Sequence, residues 1–254
     1  MTSLERIEGI ARRAGAAILS YYAAGATSTS KADGSPLTLA DQAADDLIVA
    51  ELTSWDATVP IISEESDQAS YDERCGWGRF WLVDPLDGTK EFLSRNGEFT
   101  VNIALIDNGE PVLGVVFAPA LDLMYAAARG LGAWRIGPGG LRERIYSRPP
   151  QAGRPLTIVE SRSHPSPELE QYLATINIGD RVAMGSSLKF CVVAEGRADI
   201  YPRLGPTMEW DVAAGDCVFR NSAREGQHSS PLTYNKHDLR NDSFVIGGAA
   251  GDLA

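Results

Sequence analysis

An α/β protein with α+β layering is the fold class that this sequence predicts, and three observations predict it. Two helical periodicities open the chain, a run of strands joined by a tight turn fills the middle, and strands alternate with helical runs after residue 155. In order, Thr2 and Glu5 form a capping box, and Leu4, Ile7, Ala11, Ala14, Ile18 and Tyr22 then recur at three and four, the stripe of an amphipathic helix. Residues 23–30 are small and polar and read as a loop, leading to a mobile turn at Lys31, Ala32, Asp33, Gly34 and Ser35 that Pro36 closes. A second helix starts near Asp41, with Ala44, Leu47, Ile48, Leu52 and Trp55 on one face. Asp41, Asp45 and Asp46 suit the positive end of its dipole, and for Asp45 and Asp46 that is the whole reading. A short strand over 59–63 runs into Glu64 and Glu65, a pair that is either solvated or functional according to what the strand packs against. Residues 66–79 lack periodicity and are assigned to a loop.

Phe80, Trp81, Leu82 and Val83 form a buried strand, because aromatic and β-branched residues suit a pleated sheet and the run is too short for a helix. Pro85 is expected to stop it. Strands over 99–106 and 112–118 flank Asn108-Gly109, a hairpin turn, and 121–127 and 133–136 continue the meander. Residues 137–155 mix Pro, Gly and Arg and mark a boundary. The chain therefore divides into an N-terminal α+β half, 1–137, a connecting segment, 138–154, and a C-terminal α/β half, 155–254. In that second half the pattern reads strand 156–160, helix 167–176, a strand near Val182, helix 187–195, strand 198–201, helix 212–220 and strand 244–246. Asp211, just before the helix at Val212, is an N-cap of about 1 kcal/mol or a ligand.

Composition narrows the function. The chain has 254 residues, 44% of them hydrophobic, and a net charge of −11, which disfavours nucleic-acid polymers but leaves room for a local basic pocket that takes a small anion. Cys75, Cys191 and Cys217 are odd in number and far apart, so neither a disulfide framework nor a zinc site is expected, and a reducing compartment is. With no apolar signal-type start and no membrane-length run, the expected location is cytoplasmic, with peripheral attachment at the inner face of the membrane as the variant.

The informative stretch is WLVDPLDGTKEF over 81–92, where a buried strand meets two aspartates three apart. Asp84 and Asp87, held about 4 Å apart, repel by roughly 4 kcal/mol at an effective dielectric of 20, which a fold tolerates when a cation sits between them. Hard oxygen ligands point to magnesium. A plain surface turn explains the Pro and the Gly but not an acidic pair fused to a buried strand. Phosphatases with a covalent aspartyl nucleophile space their acids D-x-D, whereas here the spacing is D-x-x-D.

Together DPLDGTKEF, the WDVAAG string over 210–215 and the acidic SEES over 63–66 resemble the lithium-sensitive, magnesium-dependent phosphatases of the inositol monophosphatase family. Within it, KADGSPLTLAD, GTKEFLSRNGEFTVNIALI and GSSLKFCVVAEGRADIYPRLGPT look most like its 3′(2′),5′-bisphosphate nucleotidase branch. The resemblance implies an αβαβα sandwich and hydrolysis of 3′-phosphoadenosine 5′-phosphate to AMP and phosphate by a metal-activated water. It implies two or three magnesium ions, one held by Glu64, Asp84 and the carbonyl of Leu86, another by Asp84, Asp87 and Asp211. Asp41 and Thr89 would orient and deprotonate the attacking water, with Glu64 a third catalytic residue. Glu64, Leu86, Asp87, Gly88, Thr89 and Asp211 would also touch substrate. Ser186 and Lys189, at i and i+3 near a helix start, and Arg203 would hold the ribose and 5′-phosphate, with a solvated Lys and Arg as the competing reading. Other members act on inositol phosphates or sugar bisphosphates, and a regulatory protein that only binds metal is a third class. The stretch RNSAREGQHSS after Val218 departs from the family pattern. Oligomeric state is left open.

Overall fold

Alternation along one strand decides the layering. In the computed structural model, which describes residues 2–24, 28–30, 36–148, 153–163, 166–226 and 228–248, the segment Arg79–Asp87 points Phe80 and Leu82 to one face and Trp81 and Val83 to the other. All four are 3% exposed or less, so both faces of this sheet need cover.

The first half runs α1 (Ser3–Ala24), β1 (Ser28–Ser30), β2 (Pro36–Thr38), α2 (Leu39–Trp55), β3 (Ile61–Ser63), α3 (Tyr71–Arg74), β4 (Arg79–Asp87) and α4 (Thr89–Ser94). A meander follows, β5 (Thr100–Asp107), β6 (Glu110–Ala118), β7 (Leu123–Ala128), β8 (Gly132–Ile136) and β9 (Arg142–Arg144). Then come β10 (Leu156–Ser161), α5 (Pro167–Leu173), β11 (Ile178–Met184), α6 (Leu188–Ala194) and β12 (Ile200–Arg203). The last described elements are β13 (Thr207–Met208), α7 (Glu209–Arg220), β14 (Arg240–Asn241) and β15 (Phe244–Gly247).

β3 to β9 lie side by side in chain order as a seven-stranded sheet, parallel only between β3 and β4. A four-stranded sheet has the order β11-β10-β12-β15. Ile7, Ile10, Ile48 and Leu52 of α1 and α2 cover the Trp81 and Val83 face. The other face meets Phe190, Val193, Ala213 and Cys217 of α6 and α7, which then bury Tyr201, Phe244 and Ile246 of the second sheet on their far side. Every residue of α6 is buried, as a helix between two sheets must be. At Gly215 of α7 a Cβ would stand 2.7 Å from the Phe190 side chain, so only glycine lets the two helices approach this closely. On the outer face of the second sheet, Leu169 and Leu173 of α5 pack on Ile158 and Ile200. The order is helix, sheet, helix, sheet, helix, the layered α/β architecture expected.

Several local expectations are corrected. Pro85 does not stop β4: Asp84 pairs with Asn102 and Asp87 with Thr100, so an extra residue bulges outward there. β3 has paired only as far as Val83, so no neighbour on that side asks for the missing Pro85 N–H. The loop assigned to 66–79 contains α3, closed by a Ser70–Glu73 capping box. Residues 28–30 are not loop but pair with Pro36–Thr38, while the turn expected at 31–35 lies outside the described residues. Within the connecting segment, β9 extends the first sheet. Among the described residues no helix is long and apolar enough to cross a membrane.

Candidate active site

The ends of β3 and β4 bring the acids together. Ser63 pairs with Val83, and the Glu64 N–H continues the ladder onto the Val83 carbonyl at 3.1 Å, which sets Glu64 beside Asp84. Asp84 follows Phe80 and Leu82 on the same face, so it points into the layer of α6 and α7 and is 1% exposed. From that layer α7 supplies Asp211 in its first turn, where Oδ2 accepts the Met208 N–H at 2.7 Å. Glu64, Asp84 and Asp211 each offer an oxygen within 4.8 Å of the others.

Electrostatics make this arrangement costly without a cation. Burial, then Glu64, Asp87, Asp211 and Asp41, hold the Asp84 carboxyl well above its ordinary range. Burial and then Asp87 push Asp211 up to about 8, against the Met208 hydrogen bond that pulls it down. A donor set of carboxylate oxygens only, with no sulfur or imidazole, fits a hard divalent cation such as magnesium.

Asp87 stands next to this triplet without joining it. Its carboxylate accepts Asn102 Nδ2 at 3.4 Å, and its pKa is raised by burial, with Lys189 and Ser187 pulling the other way. Gly88 has φ +89°, and a Cβ there would lie 2.1 Å from Ser186 Oγ, so glycine is required twice over, for the left-handed turn and for the close approach. Thr89 begins α4 and is partly exposed to the cavity.

Opposite the acids stands a cationic wall. Lys189 is 7% exposed, its Nζ donates to the Ser186 carbonyl and lies 5.6 Å from the Tyr201 ring centre, and burial lowers its pKa to about 8 despite the Asp87 charge. Arg203 lines the same cavity and donates to the Pro206 carbonyl at 3.0 Å. Ser186 and Lys189 do not share a helix face as expected: α6 starts only at Leu188, and Ser186 precedes it with φ +50°. Ser186 reaches the site through its hydroxyl, which donates to the Asp87 carbonyl at 2.8 Å.

Asp41 is 3% exposed in the first turn of α2, close enough to act on the Asp84 charge. The dipole reading of Asp45 is overturned. Because α2 begins at Leu39, Asp45 lies beyond the first turn, is 4% exposed and accepts the Ser63 hydroxyl, so it braces the end of β3. Asp211 is not the N-cap either, since α7 starts at Glu209. The Leu86 side chain lies in the core under α1 and α2, leaving only its main chain to serve the site.

Sequence reasoning missed Glu91, Asn102, Ser187 and Tyr201. Glu91 is 3% exposed on the cavity wall and accepts the Ser163 hydroxyl. A signal for Asn102 existed: it is the one amide in the run TVNIALI, on the face that carries Ala104 and Ile106.

Residues 2–223 match the model of the inositol monophosphatase family. The 3′(2′),5′-bisphosphate nucleotidase CysQ of Escherichia coli O157:H7 is 48% identical over 251 residues, covering 96% of this chain and 98% of its own. CysQ of Salmonella typhimurium is 50% identical over 217 residues, 85% of this chain and 86% of its own. Among solved structures, CysQ from Bacteroides thetaiotaomicron, a bacterial member of the inositol monophosphatase family, superposes with a TM-score of 0.77 at 41% identity, over 94% of each chain.

Proposed function

The chain belongs to the inositol monophosphatase family, and from that premise we propose that it is a magnesium-dependent phosphatase that removes the 3′-phosphate of 3′-phosphoadenosine 5′-phosphate. The observation that carries this reading is the convergence of Glu64, Asp84 and Asp211 within 4.8 Å, on a cavity whose opposite side holds Lys189 and Arg203. One part of the site cuts a phosphate ester, and the other holds a second phosphate. The CysQ relatives act, by their names, on bisphosphate nucleotides, which need both parts.

Glu64, Asp84, Asp87, Asp211 and the Leu86 carbonyl would hold two or three magnesium ions, which when bound supply charge neutralisation at the phosphoryl oxygens and a more acidic water. Asp41 with Thr89 orients the attacking water and takes its proton. The water oxygen forms its bond to phosphorus as the bond to the 3′ oxygen breaks, and that oxygen takes a proton from solvent water and leaves as the ribose hydroxyl of AMP. Gly88 lets the end of β4 and Ser186 meet closely enough to form one wall of the cavity. Lys189 and Arg203 hold the 5′-phosphate through charge-assisted hydrogen bonds that an inositol ring does not return.

A phosphate-release assay across three substrates tests this. The nucleotide bisphosphate is expected to exceed inositol 1-phosphate and fructose 1,6-bisphosphate in kcat/KM, and Lys189→Ala to lower kcat/KM for the bisphosphate far more than for a simple monophosphate ester. A wild-type preference for inositol 1-phosphate would overturn the substrate assignment. Equal losses on both substrates would place Lys189 in the scaffold instead.

A further inference from the structure

One turn, at 185–187, gathers polar bonds from both sides of the site. The Gly185 N–H donates to Glu98 Oε2 at 2.7 Å, the Ser186 hydroxyl to the Asp87 carbonyl at 2.8 Å, and the Ser187 hydroxyl to the Asp211 carbonyl. From β5 the Asn102 amide donates to Ser187 Oγ at 3.0 Å and reaches Asp87 Oδ2 at 3.4 Å. Asn102 and Ser187 thus span the gap between a carboxylate at the end of β4 and the first turn of α7.

Neither residue is there for the element that carries it. Ser187 sits at the start of α6, yet its side chain makes no capping bond to that helix. Asn102 is 1% exposed between the apolar Val101 and Ile103, where a β-branched residue would suit the strand better. Its Oδ1 is buried and has no hydrogen-bond partner among the described residues, a burden that folds rarely carry. An amide turned the other way would set that oxygen against the Asp87 carboxylate, so the orientation is kept for what the NH2 group reaches. Both groups are neutral, so they restrain the acids without cancelling the charge that a cation needs.

We propose that Asn102 and Ser187 are a positioning pair that sets the spacing of Asp87 and Asp211 for a divalent cation. The proposal rests on the metal-dependent reading above. Partners of this kind, one bond removed from a ligand, typically change metal affinity by 10- to 100-fold when lost.

Isothermal titration of magnesium into EDTA-stripped protein tests it, on wild type, Ser187→Ala, Asn102→Ala and the double variant. Each single change should weaken magnesium binding by about ten-fold. The double variant should lose much less than the product of the two, because the pair acts as one hydrogen-bonded unit. The melting temperature of metal-free Ser187→Ala should fall modestly, since two buried hydrogen bonds are lost, the gap from wild type should widen in magnesium, and excess magnesium should restore its turnover. Wild-type magnesium affinity in both single variants would overturn the proposal, as would a drop in melting temperature that is the same with and without magnesium. If Asn102→Ala does not fold, Ser187→Ala still decides between these results. Wild-type protein that takes up no magnesium would remove the metal reading itself, and this inference with it.

Discussion

Asp87 shows how single residues at this site are pulled in two directions. Burial raises its pKa although Lys189 and Ser187 favour the charged form, so the metal-free fold holds this carboxylate at a cost. Its charge in turn raises the pKa of both Asp84 and Asp211. Asp87→Asn keeps the shape and removes the charge. In EDTA the variant is expected to be more stable than wild type, because it removes a buried charge that also repels Asp84 and Asp211. In magnesium it should lose at least about 100-fold in phosphate release, no less than the upper range for losing a hydrogen-bond partner of a metal ligand. Thermal melts in EDTA and a turnover assay read the two effects separately. Undiminished turnover would take Asp87 out of the site.

Elements that looked featureless turn out to be anchored. The polar segment after α7 is tied back to the end of that helix through His228. The His228 N–H donates to the Arg220 carbonyl at 2.9 Å, its ring stacks on Phe219 at 4.7 Å between centres, and Ser147 bonds its Nε2. Short α3 has a similar task, since Arg74, 3% exposed, donates to Asn235 Oδ1 and to the carbonyls of Lys236 and His237. The Glu209 carboxylate receives the N–H groups of Asn235 and Lys236, so this latch ends at the base of the helix that carries Asp211. His228 makes the strap sensitive to pH. Burial lowers its pKa from 6.5, so the unfolded chain takes up a proton that the folded one resists, and stability falls as pH drops below about 6.5. The nearest guanidinium on α7, that of Arg220, is engaged by Asp216 and the Leu232 carbonyl. His228→Phe keeps the stacking and loses the proton site. Its stability should fall less than that of wild type between pH 7 and pH 5. Parallel pH dependences in chemical denaturation would show that His228 does not titrate in the fold.

At the scale of the whole molecule the site is a seam. Glu64, Asp84 and Asp87 come from strand ends of the first sheet, Asp211 from the middle helical layer, and Arg203 from the second sheet. A cation bound there joins layers that carboxylate repulsion otherwise pushes apart. Magnesium at about 100 times its dissociation constant should therefore stabilise the protein by about 2.7 kcal/mol, seen as a higher melting temperature than in EDTA. Equal melting temperatures in the two buffers would contradict a structural part for the metal. Lithium, a monovalent ion offered to the same carboxylates, is expected to lower turnover at limiting magnesium when present at millimolar levels. Unchanged turnover there would set this chain apart from the lithium sensitivity that its family resemblance implies.

What could be read without coordinates was whatever depends on neighbours in the chain. The stripe from Leu4 to Ile18, the Asn108-Gly109 hairpin and the strand over Phe80 to Val83 follow from periods of 3.6 and 2 and from turn chemistry, which act within a few residues. The motif around Asp84 could be read for the same reason. The tertiary structure decided which acids meet. By spacing Asp84 and Asp87 were a pair, yet the group within 4.8 Å is Glu64, Asp84 and Asp211, brought together by β3 pairing and by the placement of α7. Asp45, dismissed as a dipole partner, became a brace for Ser63, and Asn102, unremarked in an apolar strand, became a bridge to Ser187. Pro85 passed through a strand because its missing donor faces no partner. In each of these cases the outcome depends on groups far apart in the chain, whose distance is set by how sheets and helices pack and not by any local preference.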